Sequence, residues 1–342
     1  MNWKRLVKTA YPAAIVIAIY LLTILLLKGG IINKYYIQVM MFAGINIMMT
    51  ASLNLVNGFT GQFCIGHAGF MSLGAYGAAI VTTMVFGGKN IPVLAQTPVF
   101  LIGLLVGGAV AAFVGALIGL PSLKLKGDYL AIVTLAFGEI VRAILRLIKP
   151  IGAARGMIGI PNYSTLAWIL LFMALTLYLL KNLIYSPYGR AFIAIRDNEI
   201  AADVMGIDTT KYKITAFCIA AFIAGVAGGL YAHLLAFIQP DSFGFTKSSD
   251  FLVFMYAGGS GSLTGSIVGA ALLTVLPEVL RFLSEWRLAV YAAVLVMVML
   301  YRSDGLCGGK ELPFMRIKRC ELYEEPIFAR KGTKKRPGAQ GR

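Results

Sequence analysis

Asn57-Gly58-Phe59-Thr60-Gly61-Gln62-Phe63-Cys64-Ile65-Gly66-His67-Ala68-Gly69-Phe70-Met71-Ser72-Leu73-Gly74-Ala75-Tyr76-Gly77 is the stretch that decides how this chain folds. Six glycines expose backbone that a straight lipid-facing helix keeps covered, and Asn57, Thr60, Gln62, His67 and Ser72 are interleaved with them. Apolar runs flank the stretch, which places it at membrane depth. Irregular backbone is tolerated there only when buried in protein or lining a cavity. Close packing of small residues explains any single glycine. The whole cluster predicts a broken helix beside a translocation pathway lined by Asn57, Gly58, Gly61, Gly66, His67, Ser72 and Gly74.

The rest of the chain supports a bilayer setting. Of 342 residues, 58% are hydrophobic and 13% charged, with a mean hydropathy of +0.79, whereas soluble proteins carry about 25% charged residues. A water-soluble domain is excluded, and at ~20 residues per span the apolar residues furnish about ten crossings. Apolar runs at 11-27, 36-56, 69-86, 99-120, 128-148, 165-183, 214-236, 249-259, 263-283 and 286-301 give the candidate spans. The run at 249-259 is too short to cross ~30 Å as one helix. The expected fold is all-α, a polytopic integral membrane protein of about ten transmembrane helices, two of them broken by Gly-rich segments. Residues 1-10 are expected as a cytoplasmic N-terminus, 11-301 as the transmembrane domain with a cytoplasmic loop at 184-213, and 302-342 as a basic cytoplasmic tail. The first run follows Lys4, Arg5 and Lys8, but Lys28-Gly29-Gly30 stands where a signal peptide needs an A-x-A site, so it reads as an uncleaved span.

The net charge is +16. Nucleic acid is one reading of such an excess, but cytoplasmic loops of membrane proteins collect Lys and Arg, so no nucleic-acid partner is expected. With ten crossings, the terminal side carries three basic residues in 1-10, Lys124 and Lys126, then Lys181, Arg190, Arg196, Lys211 and Lys213, and 11 from Arg302 onward, 21 in all. The opposite side carries Lys28, Lys34, Lys89, Lys149, Arg155 and Lys247, 6 in all, and Arg142, Arg146, Arg281 and Arg287 fall within spans. This asymmetry places both termini and the 184-213 loop in the cytoplasm. The run Lys331, Lys334, Lys335, Arg336 reads as a solvated tail, with anionic lipid at about 1 kcal/mol per charge as the alternative. Four cysteines without CxxC spacing set no redox constraint.

A second glycine cluster, Gly258-Gly259-Ser260-Gly261-Ser262-Leu263-Thr264-Gly265-Ser266-Ile267-Val268-Gly269-Ala270, again breaks an apolar run. Paired glycine interruptions in two halves of a chain point to a pathway between them, which adds Gly258, Gly259, Gly261 and Gly265 to its lining. His67 and His233 have no ligand cluster around them, so no metal is expected; hydrogen bonding between packed helices is the simpler reading of both, with substrate contact the alternative for His67. Glu139 with Arg142, and Glu278 with Arg281, stand three apart on one helix face and read as structural ion pairs rather than a proton relay.

Ser186-Pro187-Tyr188-Gly189-Arg190-Ala191-Phe192-Ile193-Ala194-Ile195-Arg196-Asp197-Asn198-Glu199-Ile200-Ala201-Ala202-Asp203-Val204-Met205-Gly206 predicts a short amphipathic cytoplasmic helix, started by Pro187 and Gly189 and ended by Gly206. The mixed charges of Arg196, Asp197, Glu199 and Asp203 favour a protein partner over lipid headgroups. No GxxxxGK[ST], H-E-x-x-H or G-x-S-x-G motif occurs, so neither nucleotide hydrolysis nor protease or acyltransferase chemistry is expected of this chain, and it carries no cofactor of its own.

Gly66-His67-Ala68 with Gly74-Ala75-Tyr76, Lys126-Gly127-Asp128-Tyr129 leading to Thr134-Leu135-Ala136 and Glu139-Ile140, and Ile195-Arg196-Asp197-Asn198-Glu199-Ile200-Ala201-Ala202 with Met205-Gly206-Ile207 resemble the LivM-type permeases of branched-chain amino-acid ABC importers, over about residues 36 to 306. The resemblance implies a non-enzymatic permease that pairs with a second, homologous permease subunit and two ATP-binding-cassette ATPase subunits holding ATP and Mg. An extracytoplasmic binding protein would deliver Leu, Ile or Val. It also implies that the loop at 189-206 is the coupling helix, through Arg190, Arg196, Asp197, Glu199, Ala201, Ala202, Asp203 and Gly206. Ala153-Ala154-Arg155-Gly156 and Gly265-Ser266 depart from the family pattern. The rivals are a urea or short-chain amide importer and, from a different class, a proton-coupled secondary transporter needing no ATPase.

Overall fold

The computed structural model describes residues 34–87, 93–122, 127–301, 305–307 and 311. The expected N-terminus at 1-10, the first span at 11-27 and the basic run from Lys331 to Arg336 lie outside the described residues. The helices are α1 Lys34–Asn54, α2 His67–Ile80, α3 Val93–Ser122, α4 Asp128–Leu147, α5 Leu166–Ile184, α6 Pro187–Asp197, α7 Glu199–Val204, α8 Thr209–Leu235, α9 Phe245–Gly258, α10 Leu263–Val279 and α11 Arg287–Tyr301. A π-turn extends α1 over Leu55–Phe59 and another extends α2 over Val81–Val85. The strands β1 Met157–Ile158 and β2 Phe237–Ile238 pair antiparallel, Met157 opposite Ile238, and mark the end of the bundle away from α6 and α7.

Among the described residues, six helices are long and apolar enough to cross a membrane: Lys34–Phe59, His67–Val85, Gln96–Ser122, Leu166–Ile184, Thr209–Leu235 and Leu263–Phe282. Each overlaps a run read from the sequence. α4 forms where a further span is expected but carries Asp128, Glu139, Arg142 and Arg146. α9 has 14 residues, or ~21 Å at 1.5 Å per residue, too short to span; it begins four residues before the apolar run, so Lys247 is helical rather than in a loop.

Glycine decides which helices meet most closely. α2, α3 and α8 pack together through Gly74, Gly107, Gly225 and Gly228: a Cβ on Gly74 would overlap the Gly225 backbone, and one on Gly228 the Met71 carbonyl. Without side chains between them, the backbones come into direct van der Waals contact, the packing that holds helices together where lipid removes the hydrophobic drive. Phe70, Phe137 and Phe217 fill the space beside this contact, with ring centroids 5.0 and 5.3 Å from Phe70. α1 is buried on every side from Ala43 to Asn54, as expected for a helix at the centre of a bundle, and lies against α5, α8, α9 and α10.

Both sequence-predicted ion pairs form, and each acquires a long-range partner. Arg142 lies 2.5 Å from Glu139, whose other oxygen accepts the Phe245 N–H at the start of α9. Arg281 lies 3.4 Å from Glu278, its guanidinium is 5.0 Å from the Tyr35 ring centroid, and the Tyr35 hydroxyl donates to Glu278.

Candidate functional site: the glycine breaks and the segment against them

α1 and its π-turn end at Phe59, and the chain runs without helix from Gly61 to Ile65 before α2 begins at His67. Gly61 has φ +72°, a left-handed conformation that costs other residues ~1–2 kcal/mol. Asn57 closes this segment on itself: its side chain accepts from Cys64 N at 3.1 Å and donates to Cys64 O at 3.2 Å. α9 and α10 are separated at the second cluster, where Gly261 has φ +75°.

The two breaks touch. The Gly261 nitrogen lies 2.5 Å from the position a Cβ on Gly58 would take. Asn54, the last residue of α1, accepts from Gly261 N at 2.9 Å and donates to Ser262 O at 2.8 Å and Ser266 Oγ at 2.7 Å. Nothing in the apolar periodicity singles out Asn54; the signal available is a wholly buried carboxamide-bearing residue one turn before Gly58. Glu311 also escapes the sequence reading: it lies in the stretch expected as a solvated tail, yet its carboxylate accepts from Leu263 N at 2.7 Å and Thr264 N at 3.2 Å, capping α10. Leu306 N and Cys307 N likewise donate to Ala257 O and Gly258 O, so the boundary drawn at 302 cuts through contacts to the second break.

The other expected lining residues are placed as follows. Gly66 lies against the Thr134 carbonyl, Gly74 against Gly225, and Gly258 against Gly265 and Gly269, where close backbone approach accounts for each glycine. Gly259, with φ +122°, turns the chain between α9 and α10. Ser72 donates to Gly69 O within its own helix. His67 Nε2 lies 2.7 Å from Ser52 Oγ, whose hydrogen goes to Met49 O, so the imidazole is the donor between α1 and α2. His233 is likewise bound, Nδ1 donating to Gly229 O and Nε2 facing Thr82 Oγ1.

The 184-213 loop is two helices rather than one. Ser186 caps α6, accepting from Tyr188 N, with Pro187 in the first turn. Asn198 then leaves the helical conformation and caps α7 through Ala201 N at 3.0 Å. An Asn ahead of Glu199 is a helix start in its own right, which the apolar spacing concealed. Gly206 follows α7 with φ +85°, and Asp208 caps α8 through Lys211 N; the ammonium of Lys211 holds the Asp208 carboxyl below its usual range.

Several of the charges in this segment are paired, and apolar side chains stand outward. Arg196 binds Asp197, and Glu199 pairs with Lys213 of α8 at 2.8 Å. Ala202 is buried, whereas Ala201, Arg190, Asp203 and Gly206 are exposed. Outward stand Ile200 at 70%, Val204 at 81% and Met205 at 81% exposure. Between α6–α7 and the first break lies a cavity of about 360 Å³ lined by Thr60, Gly61, Gln62, Leu130, Arg196 and Lys213, among others. Among the described residues no group of three His, Cys, Asp or Glu stands together to hold a metal ion.

The family described as branched-chain amino acid transport system, permease component, matches residues 35–300. The high-affinity branched-chain amino acid transport system permease protein LivM of Salmonella typhimurium is 34% identical over 297 residues, covering 77% of this chain and 67% of the relative. The probable LivM of Methanocaldococcus jannaschii is 26% identical over 337 residues, covering 83% and 97%. LivH of Salmonella typhimurium, a permease protein of the same kind of system, is 31% identical over 156 residues, covering 45% of this chain and 50% of the relative. No solved structure matches. With the family matching from α1 almost to the end of α11, the chain belongs to the branched-chain amino-acid transport permeases.

Proposed function

We propose that this chain is a membrane-embedded permease subunit of an ATP-driven importer for Leu, Ile and Val. The observation that carries the reading is the family match over residues 35–300, with relatives named as LivM. The likeness to LivH supports a second, homologous permease as the partner across the pathway. The 21 to 6 asymmetry of Lys and Arg read from the sequence supports a cytoplasmic side for the termini and for α6–α7 in a prokaryotic inner membrane.

Two ATPase subunits, binding ATP and Mg, dock there against α6 and α7. The support is the exposed row Ile200, Val204 and Met205: apolar side chains grouped on an aqueous loop mark an interaction surface. An extracytoplasmic binding protein delivers the amino acid at the end marked by β1 and β2. The path runs beside the two glycine breaks, where a change of backbone conformation opens one side and closes the other. Glu139 and Glu278 are each held by an arginine, which favours this reading over a proton-coupled carrier.

The test is uptake of labelled leucine into proteoliposomes holding both permeases, both ATPases and external binding protein. ATP-dependent uptake that Ile and Val compete away, and urea does not, is the expected result. Uptake by this chain alone, driven by a proton gradient, would overturn it.

A further inference from the structure

One side chain bridges the outward-facing segment and both glycine breaks. Arg196 lies in the last turn of α6, and its Nη1 donates to Gly58 O at 3.2 Å. Its Cα, Cβ and Cγ lie 2.9–3.3 Å from where a Cβ on Gly61 would stand, and Nη1 lies 3.2 Å from the corresponding position on Gly261. Nε and Nη2 both donate to Asp197 Oδ1, at 3.1 and 3.0 Å. A planar guanidinium has donors enough to serve a carbonyl and a carboxylate at once; an ammonium is a point charge without that fork.

The spot it occupies is where α1 ends, where the first break turns at Gly61 and where the second turns at Gly261. Both turns are left-handed glycines with no side chain, which leaves room for the arginine stem. Arg196 therefore points inward while Ile200, Val204 and Met205 of the same segment point out. The side chains of Arg196 and Asp197 are 37% and 56% exposed, so the contact can part and re-form without burying a bare charge.

The first break is also incompletely satisfied in this arrangement. Gln62, beside Gly61, is 4% exposed, and neither its nitrogen nor its oxygen has a hydrogen-bond partner among the described residues. Gln62 lines the cavity between this break and α6–α7, so its carboxamide can gain partners across that space when the two parts shift. Two arrangements of one segment, biased by one contact, is the physical requirement for carrying a signal between sites.

We propose that Arg196 is the positioning residue that ties α6–α7 to both glycine breaks, so that displacement of the segment by an ATPase subunit moves both breaks together. This rests on the reading of α6–α7 as the ATPase-facing segment. It separates two roles within that segment: the outward apolar row holds the ATPase, and the inward arginine transmits.

The experiment uses the complete importer, purified and reconstituted, with Arg196→Ala and, as a docking control, Val204→Asp with Met205→Asp. Wild-type importer whose ATP hydrolysis is stimulated by loaded binding protein establishes the underlying reading; absence of stimulation in wild type would refute that reading rather than the role of Arg196. Arg196→Ala is expected to keep both ATPase subunits through purification and to lose stimulation by roughly tenfold, whereas the docking control loses the ATPase subunits themselves. Stimulation within twofold of wild type in Arg196→Ala, or loss of the ATPase subunits from it, overturns the proposal. Should Arg196→Ala leave this chain itself unfolded, so that neither permease is recovered from the membrane, Arg196→Lys and Arg196→Gln decide: Lys can still donate to the Gly58 carbonyl as a cation and is expected to keep at least half of the stimulation, Gln to lose it. Equal stimulation in the two overturns the proposal.

Discussion

Gly74 and Gly61 are thirteen residues apart and do opposite things. Gly74 lies where α2, α3 and α8 meet, with the backbones of Gly225 and Gly107 against it. Its lack of a side chain lets three helices lock. Gly61 lies at φ +72° in a non-helical turn, held by Asn57 nearby and by the stem of Arg196. Its lack of a side chain supplies a conformation rather than an approach. The locked glycines are sealed by dispersion contacts that have no second arrangement of equal quality. The turning glycines are held by a few polar contacts, which exchange readily with water or with each other. A transport protein needs both, a rigid wedge and a segment that turns against it, and this chain builds the two from one residue type.

Substitution at the wedge is expected to have the larger effect. Gly74→Leu forces α2 away from α8, and overpacking of this kind costs ~3 kcal/mol or more where the neighbour is backbone and cannot give way. The expected outcome is loss of most folded protein on detergent extraction, read by gel filtration. A normal yield with an unchanged thermal midpoint would break the comparison at its rigid end. Gly61→Ala is expected to be milder in stability, ~1–2 kcal/mol for the left-handed backbone, and severe in function, because the methyl group displaces Arg196. A folded importer whose leucine uptake is nearly abolished is the expected result. Normal uptake would show that residues 60–66 do not need this turn.

The difference between wedge and turn also governs what was legible from the sequence. Spans are read from local apolar composition, and the runs at 36-56, 99-120, 165-183, 214-236 and 263-283 each contain most of a helix. Glu139 with Arg142 and Glu278 with Arg281 were readable because partners three apart on a helix are neighbours whatever the tertiary fold. Glycine clusters were readable as unusual, but composition does not separate Gly74, which packs, from Gly61, which turns. Asn54, Arg196 and Glu311 were not readable in their observed roles, since their partners lie at Gly261, Gly58 and Leu263. Spacing says nothing about contacts closed by the packing of distant helices. Asn198 was missed for a local reason: the apolar period of α6 continues through it, and a capping side chain carries no period.

The smallest expected effect is the most discriminating, because its sign differs from the others. Gln62 is buried at the turning break with its carboxamide unpaired among the described residues. Gln62→Leu keeps similar volume and removes the unmet polar group, so in this arrangement the protein is expected to gain stability, by about 1 kcal/mol or less after imperfect packing is subtracted. The same change removes whatever hydrogen bonds the carboxamide makes when residues 60–66 are rearranged. The gain is expected in the arrangement described here, which makes any rearrangement of residues 60–66 harder. Thermal stability is expected to rise slightly while ATP-driven leucine uptake slows. A fall in the thermal midpoint would mean that Gln62 is bound in the resting protein, and the turning break would then be as settled as the wedge.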